Sequence, residues 1–250
     1  MFYGERNLND GSIYKTMYDV GWTKFFPFPP EHYGWVVEVN PFSGKKRKLV
    51  SLGRCAHECA TVKVLKDNRL VVYTGDDTDN GCLYKFISKS KGDLTNGKLY
   101  VASMEEKKWI EVSYEKHKEL RKKFKNQTEV LTYLRHSAKL IGGTELDRPE
   151  DIQIDPFNDN VIIALTNNYS KKVMHGSLLK ITEKETHFID MLNFYQKSLS
   201  KDYILKKIWA YSSDTDTHTI ETHIYRLRQK IQDSFGDTNF IKNTTDGYSL

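Results

Sequence analysis

The hydrophobic positions of this chain change period twice. From the start to about residue 112, short runs rich in β-branched and aromatic side chains recur: GWVVEV (34–39), RLVVYTG (69–75), CLYKFIS (82–88) and KLYVASM (98–104). Clusters of Gly, Asn, Asp and Pro such as NPFSGKK, DDTDNG and DLTNG bound them, and those residues favour turns over continued strand. The runs predict strands, and their spacing predicts a sheet-rich sandwich or propeller. Within 113–140 the apolar residues fall three and four apart. Val130, Leu131, Leu134, Ala138 and Ile141 predict one amphipathic helix ended by Gly142 and Gly143. Strand character returns at DIQID (151–155) and NVIIALTN (160–167), joined by a Pro-Phe-Asn-Asp-Asn turn. Asn40-Pro41-Phe42 and Asp155-Pro156-Phe157 form a faint internal echo.

From Ile181 onward the pattern predicts helices closed by a hairpin. Thr182-Glu183-Lys184-Glu185 reads as a capping box opening a first helix with Phe188, Ile189, Leu192 and Tyr195 on one face. Ser200 can cap a second helix carrying Ile204, Leu205 and Ile208. Asp216 can cap a third, with Ile220, Ile224, Leu227 and Ile231 inward. Asp246-Gly247 between Phe240-Ile241 and Tyr248-Ser249-Leu250 signals a hairpin. The expected fold class is α+β: a partial β-propeller-like, strand-rich part over residues 1–177, then a winged helix-turn-helix domain over residues 178–250.

Composition narrows this little. The 250 residues have a mean hydropathy of −0.62, and no apolar run reaches the ~18 residues of a membrane span. The opening MFYGERNLND is polar, unlike a secretory signal. Three cysteines are an odd count, which argues against a disulfide framework and fits a reducing compartment. A cytoplasmic protein without a membrane partner is expected. Cys55 and Cys59 flank His57 and Glu58, but a C-x-x-x-C pair lacking a second ligand pair departs from zinc spacings. The net charge of +5 permits nucleic-acid binding. Residues 182–250, however, hold nine Lys and Arg against ten Asp and Glu, so the positive excess lies upstream. Much of it sits in KHKELRKKFK (116–125), which reads as a solvated helix face.

The outward face of the third helix would carry Thr222, Tyr225, Arg226 and Gln229, with His223, Arg228 and Lys230 at its margins. Guanidinium forks can bond guanine edges, and the other polar groups suit phosphates. The stretch from LLKITEKETHFID through DTHTIETHIYRLRQKI to DGYSL resembles the effector domain of OmpR/PhoB-type response regulators. The resemblance implies double-stranded DNA as partner, with no cofactor required. It implies that Arg226 and Arg228 approach bases while His218, Thr219, His223 and Tyr225 hold phosphates. Thr222 and Lys230 share that surface, and residues 209–216 would contact RNA polymerase. Tyr225 stands where many members have Arg, Ser249 replaces the common wing Arg, and no receiver domain is present. The leading expectation is therefore DNA-binding transcription regulation of two-component type without a receiver.

Residues 1–181 resemble PhoX-type alkaline phosphatases, a propeller family. The resemblance rests on HYGWVVEVNPF, L-G-R-x-x-H-E (52–58), VVYTGDD (71–77), G-K-L-Y-V-A, L-D-R-P-E-D (146–151), LTNN (165–168) and HGSLLKI (175–181). It implies calcium together with iron, with Glu58, Asp76, Asp77, Glu150 and Asn168 as candidate ligands. The family's Cys-Glu-Glu metal motif lies upstream of the segment where this chain begins, and the match breaks at KITEK. The expectation is a chimera whose phosphatase part is an inactive remnant. A metal-dependent phosphatase and a decayed fusion are the competing readings.

Overall fold

The structure is a computed structural model; it describes residues 4–15, 28–184, 188–193, 199–200, 218–235, 238, 241–245 and 247–249. The chain divides into two compact units, Met1–Leu192 and Asn193–Leu250.

The first unit opens with a hairpin of β1 (Gly4–Arg6) and β2 (Ile13–Lys15), followed by a second of β3 (Val37–Val39) and β4 (Lys46–Lys48). Then come β5 (Thr61–Val64), β6 (Arg69–Gly75), β7 (Asp79–Gly81), β8 (Leu83–Lys91), β9 (Gly97–Ser103) and β10 (Lys108–Glu111). Three short helices follow: α1 (Lys118–Lys123), α2 (Gln127–Thr132) and α3 (Leu134–Leu140). The unit ends with β11 (Leu146–Asp147), β12 (Pro149–Ile154), β13 (Val161–Leu165), β14 (Ser177–Lys184) and β15 (Phe188–Asn193).

Nine of these strands join in one sheet, in the order β12-β13-β14-β15-β10-β9-β8-β6-β5. Its two ends meet: Thr61 Oγ1 donates to the Ile152 carbonyl at 2.6 Å, and Cys59 Sγ to the Glu150 carbonyl at 3.3 Å. Two meanders thus lie face to face. Between them pack Val71, Tyr73, Leu83, Tyr100 and Trp109 from one side, and Ile152, Val161, Ile163, Leu179 and Ile181 from the other. The opposite face of the first meander carries Val72, Tyr84, Phe86, Leu99 and Val101. It is covered by Leu120, Val130, Leu134 and Ala138 from the helices. Burial on both faces explains why these strands read as near-continuous apolar runs rather than as an alternation.

The predicted single helix over 113–140 is instead three short ones. Asn126 caps α2 by accepting from the Glu129 amide at 3.0 Å, and Tyr133, at φ −106° and ψ 44°, separates α2 from α3. The predicted apolar positions do face the core.

A buried polar knot ties β14 to the first meander. Glu183 accepts from Lys85 Nζ at 2.7 Å, Trp109 Nε1 at 2.9 Å and the Tyr73 hydroxyl at 3.0 Å. Lys85 Nζ also stands 5.4 Å from the Trp109 ring centre and 5.8 Å from that of Tyr73. Burial lowers the Lys85 ammonium pKa, although Glu183 opposes the shift.

The second unit contains β16 (Leu199–Ser200), the helix α4 (His218–Phe235), β17 (Lys242–Thr244) and β18 (Gly247–Ser249). Its sheet runs β16-β18-β17. The long third helix and the terminal hairpin anticipated from sequence are present, with Ile224, Ile241 and Tyr248 buried. Leu227, expected inward, is exposed.

The expected α+β class with a winged helix-turn-helix domain is corrected. The structure is strand-rich, and no winged-helix domain is evident among its described residues. The described residues of the segment taken for the first helix are strand: β14, which pairs with β13 from Val161↔Ile181 to Leu165↔Ser177, runs on to Lys184, and β15 continues the sheet. Thr182, read as a helix cap, donates its hydroxyl to Asn160 Oδ1 at 2.7 Å. Backbone partners on β13 up to Ile181 and on β10 at Phe188 outweigh a local capping preference. The second predicted helix, over 200–208, lies outside the described residues beyond Ser200.

Candidate functional site

The polar residues of the first unit concentrate where the end of β6 approaches the start of β12. Gly75 closes β6, and a Cβ there would lie 2.2 Å from the Pro149 carbonyl oxygen. Only glycine allows the two backbones to come this close. The turn after β6 is equally tight, since a Cβ on Gly81 would lie 1.9 Å from the Asp76 carbonyl oxygen. These approaches bring Asp76 and Asp77 from one meander beside Arg148 and Glu150 from the other, with Glu58 nearby on the irregular segment that leads into β5.

The two adjacent aspartates have different environments. Asp76 is buried and takes a bidentate clasp from Arg135, both bonds 2.7 Å, while its Oδ1 also accepts from the Ala56 amide at 3.0 Å. Burial pushes its pKa up, but the Arg135 charge and these hydrogen bonds outweigh that, so the carboxyl sits below its usual value. Arg135 also reaches Glu5 at 2.8 Å and so ties the first hairpin to this corner. Asp77 pairs with Arg148 at 2.8 Å. Its carboxyl is raised by burial and by the neighbouring Glu150 and Asp76 charges, against the pull of Arg148. Glu58 is raised too, first by partial desolvation and then by the Asp77 and Glu150 charges.

Arg148 stands at the centre. Its backbone is left-handed, at φ +51°, which sets the side chain between the two meanders. The guanidinium reaches Asp77, Glu150 Oε1 at 3.2 Å and Asn167 Oδ1 at 3.1 Å. Glu150 is further fixed by the Thr166 hydroxyl at 2.8 Å.

Of the five residues anticipated as ligands, the structure groups Glu58, Asp77 and Glu150. It gives the other two structural work. Asp76 is clasped by Arg135. Asn168 is buried, donates to Asn80 and Asp147, and accepts from Ser170 and the Lys171 amide, holding the 168–173 turn. The carboxylate trio supplies hard oxygen donors that suit a cation such as calcium. Its members are coupled in charge but held apart around Arg148. Among the described residues no three His, Cys, Asp or Glu side chains converge into a metal-holding group. Burial raises the thiol pKa of Cys55, and that of Cys82 to about 12, so neither is poised as a thiolate ligand. His57 is buried, with its pKa lowered by desolvation, and bonds Thr74 and the Gly53 carbonyl. Arg148 was missed as a site residue, although a cation inside the acidic run L-D-R-P-E-D was a usable signal.

In α4, Thr222, Tyr225, Arg226 and Lys230 are exposed. Arg228 instead turns to the hairpin, donating to the Ile241 carbonyl at 2.8 and 3.0 Å and to Asn243 Oδ1 at 2.9 Å. The side chains of His218, Thr219 and His223, and all of residues 209–216, lie outside the described part.

Comparison with known proteins gives a family for most of the chain. Residues 3–237 match the family described as alkaline phosphatase PhoX. The PhoX of Pseudomonas fluorescens, solved in complex with vanadate, a transition state analogue, superposes with a TM-score of 0.61 at 26% identity. That likeness covers 79% of this chain and 41% of the other. Shorter matches link the chain to two regulators. The DNA-binding dual master transcriptional regulator RpaA of Synechocystis sp. is 29% identical over 90 residues, 35% of this chain and 37% of that protein. The heme response regulator HssR of Staphylococcus aureus is 28% identical over 71 residues, 28% of this chain and 32% of that one. The reading as a DNA-binding transcription regulator is overturned, because the phosphatase family runs through the whole of α4 while the regulator matches are short. A fusion of two families is not confirmed. The chain belongs to the alkaline phosphatase PhoX family.

Proposed function

We propose that the corner between β6 and β12 binds a divalent cation and a phosphoryl group, and that the protein hydrolyses phosphomonoesters. One arrangement carries the reading: Arg148 lies between Asp77 and Glu150, with Glu58 coupled to both carboxylates. Carboxylates alone could gather a cation, and a guanidinium alone could hold a phosphate. Having both at one corner suits a phosphoester, whose oxygens can be met from two sides. Glu58, Asp77 and Glu150 would hold the cation. Calcium, which the PhoX resemblance implies, takes hard carboxylate oxygens of this kind. Because Arg148 now lies between them and they do not converge, its binding would require Arg148 to turn away, and it would then supply positive charge toward phosphoryl oxygens. Arg148 would turn its planar fork from carboxylate to phosphate oxygens, with Asn167 keeping it aligned. The described residues offer iron no matching donor set. The chain spans 41% of the length of the Pseudomonas fluorescens enzyme, so activity is proposed by likeness to that protein.

Calorimetric titration with calcium, then with vanadate in its presence, tests the site; a chromogenic phosphomonoester with calcium and iron tests turnover. Glu150→Gln should abolish calcium binding. Arg148→Met should abolish vanadate binding and leave calcium binding in place. Absence of calcium binding together with absence of turnover above blank overturns the reading.

A further inference from the structure

The β3–β4 hairpin carries an arrangement that the phosphatase corner does not use. Its turn holds Phe42 at 98% exposure. The aromatic ring is held there by a rigid turn. Asn40 Oδ1 accepts from the Phe42 amide at 3.0 Å and the Ser43 amide at 2.9 Å. The Asn40 amide donates to the Lys45 carbonyl at 2.8 Å, and Gly44, at φ +66°, donates back to Asn40 at 2.9 Å. Pro41 fixes one further backbone angle. A large apolar ring presented this way sacrifices little conformational freedom on docking.

The charges beside it are predominantly positive. Lys45, Lys46, Arg47 and Lys48 are all exposed. The register places Val37 across from Lys48 and Val39 across from Lys46, so one face alternates exposed valines with lysines. Glu38, the one acid of the hairpin, lies across from Arg47 and pairs with it. Lys48 donates to the His32 carbonyl. Lys45 and Lys46 make no ion pair among the described residues.

The protein contains its own control. Asp155-Pro156-Phe157 builds the same turn between β12 and β13. Asp155 Oδ1 accepts from the Phe157 amide at 2.9 Å, the Asp155 amide donates to the Asn160 carbonyl at 2.8 Å, and Asp159 adopts φ +61°. Phe157 is 77% exposed. Around it stand Asp155 and Asp159, the latter paired with Lys63 at 3.0 Å, in place of a run of four basic residues.

We infer that the β3–β4 hairpin docks on an anionic lipid bilayer, with Phe42 entering the interface and the Lys45–Lys48 run meeting the headgroups. The charge is complementary to anionic headgroups. The apolar ridge of Val37, Val39 and Phe42 favours a bilayer over a nucleic acid, whose phosphate surface would match the lysines but leave the valines in water. No helix among the described residues is long and apolar enough to cross a membrane.

Co-sedimentation of the full chain with phosphatidylcholine vesicles, with and without phosphatidylserine, tests this. Binding should require phosphatidylserine and weaken with salt. Phe42→Ala should lower the partition coefficient about tenfold. Lys45→Glu with Lys46→Glu should reduce binding at least twentyfold, and Phe157→Ala should leave it unchanged. In Phe42→Trp, vesicles should shift the tryptophan emission to the blue relative to the unsubstituted chain. All the substituted positions are exposed, and circular dichroism checks folding. Failure to bind phosphatidylserine vesicles overturns the proposal. So does binding to an oligonucleotide but not to vesicles, or an equal loss in Phe42→Ala and Phe157→Ala.

Discussion

Replacing Glu183 by alanine should destabilise the first unit by about 3 kcal/mol. Three donors converge on this carboxylate: the Lys85 ammonium, the Trp109 indole and the Tyr73 hydroxyl. Lys85 is only 2% exposed, so the substitution leaves a buried charge without its counter-ion, a change that typically costs ~3–5 kcal/mol. Two features move the estimate to the lower end. The Glu183 side chain is 20% exposed, so water can enter the vacated place, and the Tyr73 and Trp109 rings still flank the ammonium. Glu183→Leu combined with Lys85→Met should recover most of the loss, because removing both charges leaves only two neutral donors to satisfy. Urea unfolding followed by circular dichroism measures all three variants, and a double-mutant cycle isolates the pair. A loss below ~1 kcal/mol in Glu183→Ala, or a double variant no better than the single, would refute the reasoning. Either result would mean that β14 is held by its apolar residues and backbone bonds alone.

Further outcomes follow from the corner between β6 and β12. Asp76 has a folded pKa below its unfolded one, so its contribution is present above the usual carboxylate range and lost as pH falls through the lowered value. Asp76→Asn should therefore weaken the protein at neutral pH and flatten the acid limb of its stability profile, as read by thermal melts across pH. Glu58 has the opposite sign: its carboxyl is raised, so stability falls as pH climbs through the window above the ordinary value. Glu58→Gln should raise the melting temperature slightly at neutral pH and reduce any further gain on adding calcium. Gly75→Ala must push β6 away from the Pro149 carbonyl, with a stability loss of about 1–3 kcal/mol and weaker calcium binding, measured by urea unfolding and calorimetry.

The sequence was most legible where local chemistry and tertiary packing agree. Runs 69–75, 82–88 and 98–104 are strands within a residue or a few, because β-branched and aromatic residues suit a sheet buried on both faces. The faint N/D-P-F echo marks two turns with the same hydrogen bonds, since Asx and Pro chemistry acts within a few residues. Elsewhere the local signals were equivocal. Thr182-Glu183-Lys184-Glu185 has the form of a capping box, but Glu183 is drawn to Lys85, a partner 98 positions away in the chain. The strand Thr61–Val64 went unread because its alternation is short, and its inward polar partner lies on β12.

By itself, then, the sequence determined the strand runs, the turns, the apolar helix positions and the residue types able to meet cations and phosphates. Only the tertiary structure decided that residues 177–184 and 188–193 extend a sheet. It also separated Glu58, Asp77 and Glu150, which gather around Arg148, from Asp76 and Asn168, which serve the scaffold. The physical reason is range. Periodicity and turn preference act over a few residues, whereas a carboxylate's role depends on which cation the folded chain brings within about 3 Å of it.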